Sequence, residues 1–190
     1  MVDYSKNGET DQTVKDRAFA ASKNFLILQW PAYTVLGLLG ILLPWLGEVD
    51  MATLAGTMLL IKGLVQLAIL LKWGVRPGFA WRAGITIFTL IVAWGILMDP
   101  LSLHIPLEIS IGGYLLATGL YVVIEGRYTF AGHKAGTMVG TGYLSIAFAL
   151  TLLTGWPSVA FWTPVLALSL NLLAVGQASR IINTAIAPSD

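Results

Sequence analysis

Lys62 is the residue whose type and position first call for chemistry. It stands inside the apolar run Met51–Leu71, with eleven residues of that run ahead of it. At 1.5 Å of rise per residue it lies about 16 Å from the end of a helix, near the middle of a bilayer. An ammonium at that depth costs about 3 kcal/mol on insertion scales. It therefore needs a partner, a water pocket or a deprotonated state. Gln66 follows one helical turn later on the same face, and Asn171 falls at similar depth in a later run. Together they predict a polar cluster of Lys62, Gln66 and Asn171 inside a helix bundle. The competing reading is that Lys62 faces another subunit or lipid and stretches its stem to a headgroup.

A second group of chemical residues is Glu48, Asp50, Asp99, His104 and Glu108, which fall in or beside two short connections. All titrate between acid and neutral pH, so they form a candidate pH-responsive face. The plainer reading is that helix starts need acidic caps. No enzyme is expected. The two histidines, His104 and His133, are far apart and make no metal site, and no cysteine is present. Gly136, Gly140 and Gly142 lack the following Gly-Lys-Ser/Thr of a phosphate loop. No cofactor is predicted, and an apolar cleft between helices leaves room for a bound lipid or pigment.

The elements that must position these residues follow from composition. The 190 residues are 56% hydrophobic and 11% charged, with a mean hydropathy of +0.77. Soluble domains carry roughly a quarter charged residues. A core of this size could not hide so much apolar surface, whereas lipid solvates it. The net charge of +1 gives no electrostatic footprint for nucleic acid. Six runs are long enough to span a membrane: Phe25–Leu46, Met51–Leu71, Arg82–Met98, Pro106–Ile124, Thr137–Thr154 and Val159–Ser179. They are continuous rather than alternating, so they predict helices. The fold class is an all-α integral membrane protein with six transmembrane helices. Residues 1–24 read as a polar tail, with a short surface helix over 13–23. Residues 25–182 form the membrane domain, and residues 183–190 a short tail.

Orientation follows from the basic residues. Ten of the eleven Lys and Arg fall on one side, and the eleventh is Lys62. The positive-inside rule then places both termini in the cytoplasm. Residues 1–23 are too polar for a cleavable leader. Trp45, Trp156 and Trp162 mark the outer boundary and Trp30, Trp73 and Trp81 the inner one, while Trp94 reads as a packing residue.

The chain also repeats itself. Pro44 is followed by Gly56, Leu59, Leu60 and Gly63. Pro100 is followed by Gly112, Leu115, Leu116 and Gly119, and Pro157 by Ser169, Leu172, Leu173 and Gly176. The spacing is ungapped each time, and defines repeats over 25–72, 82–126 and 137–182. Each repeat reads as a two-helix hairpin with its proline at the outer turn. Asp50 caps the second helix, Pro106 suits the first turn of the fourth, and Thr163-Pro164 opens the sixth. The small residues, seven apart, share one face. Helices in lipid hold together by such close approach, so this stripe is expected to pack against the other even helices or against odd neighbours.

Three tandem hairpins with turn prolines and small-residue helices resemble the HdeD-type acid-resistance membrane proteins of bacteria. Most of the resemblance lies in VLGLLGILLPWLGEVDMATLAGTMLLIKGL and WGILMDPLSLHIPLEISIGGYLLATGL. It covers roughly residues 25–182 and implies a multi-pass protein of the bacterial inner membrane with a role in stress or acid tolerance. The charged tail is not part of the pattern. Two other functions fit the sequence: an accessory subunit packed against a larger redox or photosynthetic complex, and a small transporter or channel. Partners expected from these readings are membrane lipids, other membrane subunits or further copies of the chain.

Overall fold

A computed structural model describes residues 29–47, 49–73, 79–98, 106–129, 135–155 and 162–184. It is all-helical. The described part of α1 is Gln29–Leu46. It is followed by α2 (Met51–Trp73), α3 (Phe79–Leu97), α4 (Leu107–Thr129), α5 (Ala135–Thr154) and α6 (Thr163–Thr184). All six are long and apolar enough to cross a membrane, and as a membrane-spanning protein the chain is in contact with lipid. The expected surface helix over 13–23 and the turn residues Pro100 and Pro157 lie outside the described residues.

The helices outrun the apolar runs at their basic ends. α3 begins three residues before Arg82, and α4 continues five residues past Ile124. Those added turns carry Glu125 and Arg127 in α4 and bring Arg82 inside α3, so charged side chains stay on hydrogen-bonded helix. An α-helix satisfies its backbone whether or not its side chains are apolar, so nothing compels it to stop at the last apolar residue. The ends themselves have identifiable causes. Asp50 accepts from the Thr53 amide at 2.8 Å and the Thr53 hydroxyl at 2.7 Å, capping α2. The Pro106 carbonyl receives the amides of Ile109 and Ser110, opening α4. Gly155, at φ 64°, ends α5 in a left-handed turn that disfavours a side chain.

Packing follows the small residues, though not within the hairpins. A methyl placed on Gly56 or Gly63 of α2 would strike Leu97 or Leu90 of α3. One on Gly112 or Gly119 of α4 would strike Leu153 or Ser145 and Ile146 of α5. Gly176 of α6 faces the Thr34 side chain and the Trp30 carbonyl of α1. The stripe on each even helix thus meets the odd helix of the next hairpin, and α6 returns to α1. The exception in the stripe, Ser169, is matched across the interface. Where α3 and α5 present Ile96 and Leu153, α1 presents Gly40, which seats the Ser169 hydroxyl. Bulk lost on one helix is gained on the other, which keeps the interior at constant density.

The larger of two buried apolar clusters lies on the Asp50 side, and a smaller one of Val122, Met138, Ala178 and Ile182 lies toward the Arg82 end. Leu54, Met58, Ile111, Leu115, Val165 and Leu168 are buried in the larger cluster. Large residues such as Val35, Leu42, Ile91 and Leu150 point outward, as lipid permits. Trp94 corrects the sequence expectation: it is 60% exposed on the outside of α3 and is not a core packing residue.

Candidate functional site

Below that apolar cluster the bundle interior turns polar. Lys62 comes from the middle of α2 and is 5% exposed. Its ammonium lies 5.3 Å from the ring centroid of Tyr33 on α1 and 5.1 Å from that of Tyr114 on α4. Both distances fit cation–π attraction, which strengthens where water is excluded. Tyr114 is itself braced. Its ring stacks on Phe88 of α3 at 6.0 Å, and its hydroxyl lies 3.4 Å from that of Thr89. Among the described residues no carboxylate forms an ion pair with Lys62.

Gln66 and Asn171, predicted to cluster with Lys62, line the same cavity as it does. They do so in different ways. Asn171 on α6 donates to the Ser145 hydroxyl on α5. Ser145 in turn donates to the Thr141 carbonyl at 2.9 Å, so Asn171 is anchored. Gln66 and Gln29 instead lie beside the Tyr33 hydroxyl. The Gln66 Oε1, Gln29 Oε1 and Tyr33 hydroxyl are buried without a hydrogen-bond partner. Such atoms ordinarily cost about 1–3 kcal/mol each when left unpaired.

The cavity has a volume of about 50 Å³ and is lined by residues of all six helices. It runs from Lys62 and Asn171 at mid-bundle toward the ends that carry Leu70, Arg82 and Glu125. Arg82 on α3 donates to one oxygen of Glu125 on α4, from Nε at 3.0 Å and from the terminal nitrogen at 2.9 Å. Tyr121, one turn before Glu125, stacks on Trp81 at 5.8 Å. Toward the Asp50 side the interior is occupied by the larger apolar cluster.

Tyr33, Tyr114, Gln29 and Ser145 were not singled out by sequence reasoning, whereas Glu125 reads from the sequence as closing α4 and pairing with a cation at the interface, and the structure gives it Arg82 as that partner. The repeat contained a signal for part of this. Eighteen residues after each proline stand Lys62, Thr118 and Val175; fourteen after stand Met58, Tyr114 and Asn171. All six are buried. Each set is one inward layer of the bundle, which identifies Tyr114 as a neighbour of Asn171 and Lys62.

The outer acids divide. Hydrogen bonds from the Thr53 hydroxyl and amide hold the Asp50 carboxyl below the usual range, and its place is that of a helix cap. Glu108 stands in the first turn of α4, where the helix dipole favours a negative charge. Glu48, Asp99 and His104 lie outside the described residues. Among the described residues no cluster of three or more His, Asp or Glu could hold a metal ion.

No family model, no curated protein and no solved structure matches this chain. The cavity must therefore be read from its own chemistry.

Proposed function

We propose that this chain is a non-enzymatic, multi-pass protein of a bacterial inner membrane, HdeD-like in build, which serves in stress or acid tolerance through the polar cavity around Lys62. One observation carries the weight given to the cavity: a lysine at mid-bundle, 5% exposed, clasped by two tyrosines beside unpaired polar atoms. Ionisable groups at such depth are expensive, and where they occur inside a bundle they mark functional sites. The stress role is supported by the resemblance of the three proline-and-glycine hairpins. The cytoplasmic placement of both termini is supported by Lys72, Arg82, Arg127 and Arg180, which share one end of the bundle, against Asp50 and Glu108 at the other. In that orientation the cavity extends toward the cytoplasm.

The test is survival of the source bacterium after acid challenge. A strain lacking the gene should survive less well, and the wild-type gene should restore it. A copy with Lys62→Met, confirmed to insert at normal abundance, should not. Equal survival of the deleted and wild-type strains would sink the stress role. Full rescue by Lys62→Met would remove the cavity from it.

A further inference from the structure

We propose that the cavity binds one small monoanion of three or four heavy atoms, of the carboxylate or nitrate type, with Lys62 as its counter-ion. The inference rests on the reading that the cavity is the working part of the protein and adds its ligand class.

Size decides first. One water needs about 10–15 Å³ of this kind of volume. The 50 Å³ present therefore holds a few water-sized atoms, enough for formate, nitrate or acetate. A lipid chain, a quinone or a pigment does not fit within it.

Charge decides second. The described ionisable residues lining the cavity are Lys62, Arg82, Glu125 and the tyrosines Tyr33 and Tyr121. Arg82 and Glu125 neutralise each other through their double contact. The tyrosines are neutral at ordinary pH. What remains is the single positive charge of Lys62, held by π-faces that do not cancel it. A monoanion completes that charge, whereas a dianion would leave the site negative.

Hydrogen bonding decides third. Tyr33 is fully buried and Gln29 is 5% exposed, and each has an unpaired polar atom beside the cavity. The Tyr33 hydroxyl can donate. A carboxamide offers its NH₂ instead of its oxygen by a half-turn, so Gln29 and Gln66 can donate too. With the ammonium, and after that half-turn, they can supply donors to one small acceptor.

The test uses the full-length protein in nanodiscs and radiolabelled formate. Saturable binding near one formate per chain is expected, displaced by nitrate and acetate but not by sulfate at equal ionic strength. Lys62→Gln should weaken binding about tenfold or more, and Lys72→Gln, at the exposed end of α2, should leave it unchanged. Should Lys62→Gln not fold, Gln29→Leu decides: weaker binding supports the site and unchanged binding overturns it. No saturable binding by the wild type, or displacement by sulfate as readily as by nitrate, also overturns it. Loss of acid survival on deletion, with no formate binding, would leave the stress role standing and remove the anion site. Binding without a survival defect would do the reverse.

Discussion

Replacing Gly119 with alanine should loosen the bundle measurably, and the size of the effect can be worked from the contact. The added methyl would lie 2.9 Å from the Gly142 carbonyl oxygen, from Ser145 Cβ and from Ile146 Cγ1. Comfortable carbon contacts are about 3.5–4.0 Å, so α4 and α5 must separate by roughly half an ångström or more. Two of the three obstacles, backbone oxygen and Cβ, cannot rotate away. Overpacking of this kind costs about 1–3 kcal/mol. The better helix propensity of alanine returns up to about 1 kcal/mol, leaving a net loss of up to about 2 kcal/mol. Gly113→Ala is the matched control, because nothing lies within 4 Å of a methyl there; it should be neutral or slightly stabilising. Reversible unfolding in mixed micelles, followed by circular dichroism across a dodecyl sulfate titration, measures both. Equal stability of the two variants would refute the argument that Gly119 is small because α5 is close. The substitution also pushes on Ser145, the anchor of Asn171, so it should disturb the cavity as well as the interface.

Three other outcomes are expected. The ring contacts of Lys62 should couple to it: Tyr114→Leu should cost about 0.5–2 kcal/mol more when Lys62 is present than in a Lys62→Met background, measured as a double-mutant cycle. Glu125→Gln should cost about 1.5–3 kcal/mol by removing the charged acceptor of Arg82, and the Arg82→Gln, Glu125→Gln double variant should lose less than the sum, read by the same unfolding titration. Asp50→Ala should cost about 1 kcal/mol of cap energy. Because the folded carboxyl titrates below its ordinary value, this contribution is fully present above about pH 4 and fades as pH falls through the lower folded value. Asp50→Asn should keep most of the cap and lose the pH dependence, visible in unfolding midpoints measured across the acid range.

The fold was legible because its signals are local. Six apolar runs of spanning length, separated by short polar connections, admit few structures in lipid, and Asp50 announces the start of α2 by its chemistry alone. The small-residue stripe was legible as a packing face, but not its partner. Gly56 and Gly119 say only that something comes close; which helix does so depends on how the hairpins are arranged around the centre. The site was half legible. Lys62 stands out because a charge in an apolar run is conspicuous. Tyr33 and Tyr114 do not, because tyrosine is ordinary in membrane helices and acquires meaning only when two rings converge on a cation. Arg82 and Glu125 were read as boundary residues, since composition marks where apolarity ends and helices do not stop there.

The contact of Gly176 with Thr34 and Trp30, backed by Arg180 over the Trp30 ring at 5.5 Å, has a consequence for biogenesis. α6, synthesised after α1–α5, closes the assembly against α1. Lys62 therefore enters the bilayer before Tyr114 and Asn171 have been made, and for that interval the insertion machinery or a lipid headgroup must shelter its charge. A chain arrested before α6 would carry its polar chamber open along one flank, which makes completion of α6 a checkpoint on the quality of every copy.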